Sequence, residues 1–404
     1  MNAMIRKYGH PVRRNSILLT THNGLQAMLF MLPVFVPYYT HVLGLGFKEF
    51  LIGEIAFSAV IVLMEVPSGW LSDIWKRRVV LALGSLFNAG GFLLLFLADS
   101  FAQTVVAQAT IGVGCSLCSG TNTALLYDTL LSYRMQKHCR RIEGQRHSSG
   151  LYVAGFASLA GGFMYVVNPQ LPMVMTIFAY LCAFCVALFI HEPVRMKRTV
   201  EKSVFHDLVK TMRYALHGHK YVAALIAFTA LVFGVTQAGL WVQQAYYVLL
   251  DIPEMYYGPL MFVGLMIAGS GGLFGHLIDD YLRPQTVFVL MVLVLIVAYL
   301  ISGLIPGYHG VVLLYASSIA YGVGLPMVQH AINERVSSER RATILSTAML
   351  CARFVFMPVA LVVSLIADDI GIGAGTAMLG VVMAIGGLAV LYLFRQAVTN
   401  APNA

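Results

Sequence analysis

The sequence predicts an all-α membrane protein with many crossings, and three observations carry that reading. Of its 404 residues 59% are hydrophobic and only 11% are charged, with a mean hydropathy of +0.78. A soluble domain carries roughly 25% charged residues. Apolar runs of about 20 residues, the length that crosses about 30 Å of hydrocarbon, recur along the chain. The runs are continuous rather than alternating, which excludes a barrel of strands.

Polar breaks divide the chain into twelve predicted spans. Residues 1–15 are polar and basic (Arg6, Lys7, Arg13, Arg14), and the run that follows is too long for a signal peptide and lacks a small-residue cleavage site. The first span is therefore retained, at 16–40. The next five run at 49–72, 79–98, 102–127, 148–167 and 171–190. The polar stretch 191–220 follows, with Phe205, Leu208, Val209, Met212 and Leu216 at helical spacing. It reads as an amphipathic tether on the membrane surface. The last six lie at 221–247, 255–278, 285–304, 311–331, 342–367 and 374–394. The expected organisation is a six-helix bundle at 1–190, a linker at 191–220 and a second six-helix bundle at 221–404.

Charge fixes the orientation. All 26 Lys and Arg but Lys48 and Arg353 fall on the side that holds both termini and the 191–220 tether. By the positive-inside rule that side is the cytoplasm. The net charge of +8 is thus a topology signal, and no nucleic-acid site is expected. Six cysteines include the pairs Cys115/Cys118 and Cys182/Cys185, both within apolar runs. There cysteine serves as a small hydrophobe, so no metal and no cofactor is expected, a soft-metal cargo being the weakest alternative.

The two halves repeat one another. Gly69-Trp70-Leu71-Ser72-Asp73-Ile74-Trp75-Lys76-Arg77-Arg78 has a fainter copy in Gly275 to Pro284, with Gly, Asp and Arg at the same relative places (Gly275, Asp279, Arg283). Tyr38-Tyr39 recurs at Tyr246-Tyr247, and Gly112-Val113-Gly114 at Gly322-Val323-Gly324. The offsets of 206, 208 and 210 agree within loop slippage. A duplicated half is a feature of several transporter folds.

These features resemble the major facilitator superfamily along the whole chain. The family's loop signature, Gly-x-x-x-Asp-[Arg/Lys]-x-Gly-[Arg/Lys]-[Arg/Lys], maps onto Gly69, Asp73, Arg77 and Arg78, with Ile74 and Lys76 as departures. Glu65-Val66-Pro67-Ser68-Gly69 and Arg341-Ala342-Thr343-Ile344-Leu345-Ser346 look like a bacterial efflux-type branch. The resemblance implies two bundles rocking about a site lined by spans 1, 4, 7 and 10. It also implies that Asp73 meets the start of span 11 (Arg340 to Thr343). By pseudo-symmetry Asp279 would meet span 5 near Arg146 to Ser148. Arg77 and Arg78 are expected to anchor to anionic headgroups.

Several polar residues are then candidates for lining a solute site. Gln237, Trp241 and Gln244 share one face of span 7, where an indole flanked by amides suits a flat amphipathic molecule. Asn23 and Gln26, with His22 beside them, face inward from span 1. Tyr315, Ser318 and Tyr321 are the candidates in span 10. Asn122, near the inner end of span 4, reads as a gate. Charges inside a membrane default to function. Here they are Glu54 and Glu65 in span 2 and Arg353 in span 11, which can pair with either acid.

The reading that follows is a secondary transporter for a small organic solute in the cytoplasmic membrane. It is an exporter, with protons as the candidate coupling ion, and a monomer whose only other partner is the lipid bilayer. Drug/proton antiporters of the family usually carry an arginine in span 4 where Gln108 stands, and a glutamine where Ile111 stands. Gly155, Gly161 and Gly162 of span 5 lack the accompanying proline. These departures leave a different coupling residue, or none, open. An uptake carrier or uncoupled facilitator is the alternative. No HExxH, GxSxG, acidic metal cluster or Walker loop points to an enzyme or an ATP-driven pump.

Overall fold

The computed structural model describes residues 10–135, 138–193, 219–281, 284–336 and 338–399, the side chains at 10–11, 140–141, 272–281, 338–342 and 398–399 excepted. All regular structure among them is helical. The helices are α1 (His10–Ala27), α2 (Phe47–Ile74), α3 (Arg77–Phe96), α4 (Phe101–Ser132), α5 (Cys139–Val167) and α6 (Leu171–Leu188). After the stretch outside the described residues come α7 (Lys220–Leu249), α8 (Tyr257–Tyr281), α9 (Pro284–Leu304), α10 (Tyr308–Leu314), α11 (Ala316–Arg335), α12 (Ser338–Asp369) and α13 (Ile372–Thr399). Eleven stretches among the described residues are long and apolar enough to cross a membrane. The predicted eighth span coincides with α8, which is helical, and part of its side chains lies outside those described. The amphipathic tether falls almost wholly outside the described residues.

Two predicted spans are not single helices. In the first, α1 stops at Ala27 and gives way to a tight turn at Leu32–Val34, one helical turn at Phe35–Pro37 and a wide π-type turn at Tyr38–Val42. Pro33 has no N–H for the Leu29 carbonyl, and its ring crowds that carbonyl. The Leu29 oxygen instead accepts from Leu32 N at 3.0 Å. Met31 N donates to Thr176 Oγ1 of α6 at 3.3 Å, so the interrupted backbone is satisfied by a neighbour. Gly161 of α5 lies so close to the Phe30 carbonyl that a β-carbon there would overlap it. The tenth span is broken at Tyr315, between α10 and α11.

The chain forms two compact units. One comprises Met1–Tyr38, Ala56–Glu201 and Glu254–Leu265; the other comprises Tyr39–Ile55, Lys202–Pro253 and Met266–Ala404. In the first unit α3 packs along α4 and α6, and α1 rests on α6, α5 and α4. Small residues permit the close α3–α4 approach: a β-carbon at Gly84 would meet the Gly114 carbonyl at 2.9 Å. Asn15 clasps this unit. Its Nδ2 donates to the His191 carbonyl at 2.7 Å, and its Oδ1 accepts from His191 N at 2.9 Å. In the second unit α7 is the axis, packed against α10, α11, α12 and α13, and almost every residue along it is buried. Lys48 Nζ, at the start of α2, pairs with Asp368 Oδ2 at the end of α12 across 3.0 Å.

Candidate functional site

Three apolar helices of the first unit place a chain of polar side chains between them. His22 of α1 is fully buried, and its Nε2 lies 3.0 Å from Ser85 Oγ of α3. The Ser85 hydroxyl donates to the Leu81 carbonyl at 2.9 Å, so towards the ring it acts as an acceptor. Gln26 Nε2 also donates to Ser85 Oγ, at 2.8 Å. The proton of His22 therefore sits on Nε2, and Nδ1 is the acceptor for Asn122 Nδ2 of α4 at 3.4 Å. Asn88 Nδ2 continues the chain to Gln26 Oε1 at 3.0 Å, and Cys115 Sγ donates to Asn88 Oδ1 at 3.6 Å. Buried polar groups demand partners, and these six side chains supply one another through five contacts.

Arg146 closes one end of the cluster. The sequence placed it in a loop, but α5 begins at Cys139, two turns earlier than expected, so Arg146 is on the helix and only 4% exposed. Its Nη1 donates to Glu143 Oε2 at 3.2 Å, and Glu143 Oε1 accepts from Thr123 Oγ1 of α4 at 2.9 Å. Its backbone carbonyl accepts from Asn23 Nδ2 at 3.2 Å, an approach that Gly150 leaves room for. The 139–147 stretch is polar enough to read as a connection. Its helix is stabilised by packing against α1 and α4 rather than by an apolar face.

The charged turn is organised around Arg77. Its guanidinium donates to the Ala124 carbonyl at 2.7 Å and makes a close ion pair with Asp128 of α4, while Asp73 Oδ1 lies at 3.7 Å. The Arg77 side chain is 11% exposed, whereas Asp73 is 57% exposed. Arg77 is therefore a brace between the charged turn and α4. The carboxylate of Glu192 accepts from the backbone N–H groups of Arg77 and Arg78 at 3.0 and 3.1 Å, capping α3. Gly69 is exposed on α2, with open space where a β-carbon would be. The stretch Arg340 to Ala342 and the copies at Asp279 and Arg283 lie outside the described side chains.

In the second unit Trp241 is 7% exposed and meets Phe50 edge-on at 5.2 Å, with Tyr39 edge-on to Phe50 at 5.1 Å. Gln244 is fully buried and Gln237 partly so. Tyr315, Ser318 and Tyr321 are half-buried, and Tyr321 packs edge-on to Phe233 at 5.7 Å. The buried serine of this region is Ser317, bonded to Tyr299 Oη at 2.7 Å. Glu54, also in this unit, is 4% exposed; Arg353 here and Glu65 in the first unit are partly buried. Sequence reasoning missed Ser85, Asn88, Asp128, Glu192 and Ser317. Ser85 and Asn88 carried a usable signal, two polar residues three apart in an otherwise apolar run.

The family model of the Major Facilitator Superfamily matches residues 18–357. The chain belongs to the major facilitator superfamily. Solved members of similar structure include the nucleoside transporter NupG, with a TM-score of 0.71 at 15% identity over 96% of this chain and 99% of that one. A D-xylose-proton symporter gives a TM-score of 0.74 at 11% identity, covering 95% and 98% of the two chains. A bacterial homologue of the human lysosomal transporter Spinster, inward-facing and unoccupied, gives 0.69 at 15% over 96% of each. No curated protein sequence matches the chain. As a superfamily member this is a multi-pass membrane protein with a transporter fold. Among its described residues no three His, Cys, Asp or Glu side chains gather as a metal site would require.

Proposed function

We propose that this chain is a secondary transporter that carries a small organic solute across the cytoplasmic membrane by alternating access of two six-helix halves, 1–190 and 221–404, hinged on 191–220, with both termini in the cytoplasm. The family match over residues 18–357 is the observation that carries this reading. The positive-inside distribution supports the orientation. A solute site lined by Asn23, Gln26, Gln237, Trp241, Gln244, Tyr315, Ser318 and Tyr321 is supported by the concentration of buried or half-buried polar side chains on the first, seventh and tenth spans. Gln26 contributes least, because its amide already serves Ser85 and Asn88.

Export is the preferred direction, with protons as the coupling ion through Glu54 or Glu65 and Arg353. Burial of Glu54 supports it, since a carboxyl withdrawn from water responds strongly to its surroundings. Gly69, Asp73, Arg77, Arg78, Asp279 and Arg283 form the gating turns of the two halves in this reading. Uptake is the second reading, favoured by a proton symporter among the similar structures.

The test is solute flux in proteoliposomes with and without an imposed pH gradient. Gradient-driven flux that is lost in Trp241→Ala, and uncoupled when both Glu54→Gln and Glu65→Gln are introduced, supports the reading. Flux indifferent to all three changes overturns the site and the coupling together.

A further inference from the structure

Arg146 and Asn122 are left with open valences of opposite polarity. Arg146 is a permanent cation whose side chain is 5% exposed, and Nε has no hydrogen-bond partner among the described residues. Among the described residues its counter-charge is Glu143, reached from Nη1 at 3.2 Å. Asn122 is 8% exposed; its Nδ2 is committed to His22 and its Oδ1 has no partner among the described residues. Both atoms are buried, where an unmet donor or acceptor is costly, most of all on a charged group. They are held on adjoining helices, because Glu143 bridges Arg146 of α5 to Thr123 of α4, the residue after Asn122.

We propose that Arg146, Asn122 and His22 form the carboxylate-binding end of the solute site in the first unit, and that Glu143 occupies the guanidinium when no solute is bound. The assignment rests on the transporter reading and names its substrate class: a monocarboxylate bearing a hydroxyl or N–H donor next to the acid. A carboxylate meets the guanidinium in a two-point fork, and the neighbouring donor satisfies Asn122 Oδ1. The charge count favours a single negative charge. Among the described residues Arg146 is the cation of the cluster, and His22 is held neutral with Nδ1 accepting from Asn122. A dianion would leave a buried charge uncompensated.

Glu143 provides the exchange. Its side chain is 39% exposed, so its carboxylate can move off the guanidinium into solvent as the incoming acid takes its place. The incoming carboxylate replaces one ion pair by another, and the site never holds Arg146 without a partner. Asn23, bonded to the Arg146 carbonyl at 3.2 Å, positions α5 and is not itself part of the acid-binding end.

Thermal unfolding of the purified full-length protein tests this with lactate, glycolate and benzoate set against glycerol, xylose and uridine. Lactate or glycolate is expected to raise the midpoint, and benzoate, which lacks the adjacent donor, to act more weakly. Glu143→Gln removes the internal competitor and should tighten the apparent affinity about tenfold, whereas a purely structural Glu143 would only lower the midpoint. Arg146→Lys should weaken it about tenfold by losing the fork, and Arg146→Gln should abolish it. Asn122→Leu keeps the guanidinium and should erase the preference for lactate over benzoate, which provides a readout even where Arg146 variants fail to fold. Two results overturn the proposal: no carboxylate shifts the midpoint, or a shift is unchanged in Glu143→Gln and Asn122→Leu. A chain stabilised by xylose or uridine alone, with the effect lost in Trp241→Ala, overturns the carboxylate assignment and leaves the transporter reading standing.

Discussion

The amide of Asn122 donates to Nδ1 of His22 across 3.4 Å, and with Ser85 at Nε2 this fixes a single neutral tautomer in a side chain that is fully buried. The ring is thus a connector between α1, α3 and α4. Replacing it by a shape-similar apolar residue strands the partners on both sides. His22→Leu is expected to destabilise the protein by about 1–3 kcal/mol, measured as a lowered unfolding midpoint in detergent. His22→Gln, which can offer both a donor and an acceptor, should recover part of that loss.

At the charged turn the burial of each partner ranks the variants. Asp128→Ala leaves the Arg77 guanidinium, 11% exposed, without its close ion pair, and should cost about 3 kcal/mol. Asp73→Ala removes a contact of 3.7 Å at a residue 57% exposed, and its stability cost should stay below about 1 kcal/mol. If the two variants unfold at the same temperature, the brace is wrongly assigned. A transport defect in Asp73→Ala with stability retained would place its role in the cycle rather than in folding.

Gly161 has no room for a side chain, because the Phe30 carbonyl at the interruption of the first span lies against it. Gly161→Val forces α5 away from that carbonyl and should lower stability by about 1–3 kcal/mol, the usual range for overpacking. The control is Gly144→Ala, at an exposed position on the same helix with no atoms near a new β-carbon. It should leave the unfolding midpoint unchanged or slightly higher.

Glu192 receives the first two N–H groups of α3 on its two carboxylate oxygens. Glu192→Ala removes both and should cost about 0.5–2 kcal/mol, with Glu192→Gln intermediate.

Much of this was legible in the chain because hydrophobic length is a strong local signal. The limits of α2, α3, α4, α6 and α9 fall within a few residues of those read from the apolar runs. Two errors share one cause, that a hydropathy window records composition and not hydrogen bonding. Pro33 and Pro37 sit in a run apolar enough to cross the membrane, so the interruption after Ala27 was invisible to the average although the prolines marked it. The start of α5 failed in the opposite sense. Arg146 is polar and buried, and its contacts with Glu143 and with Asn23 are not visible to a hydropathy average. The partners of Arg77 were not readable for a third reason. Asp128 is 51 residues away in sequence and Glu192 is 115, and one sequence holds no record of which distant residues meet.

The clasp between Asn15 and His191 joins residues 176 positions apart. Both hydrogen bonds run to the backbone of a residue that follows the sixth crossing, so they form only after that crossing has been synthesised. A ribosome that has made the first six spans but not yet exposed His191 and Glu192 therefore carries an unfastened bundle, with Asn15 and the leading end of α3 both waiting. Split versions of the protein should respect this timing: an amino-terminal fragment ending at Phe189 would lack the fastening that a fragment ending at Pro193 retains.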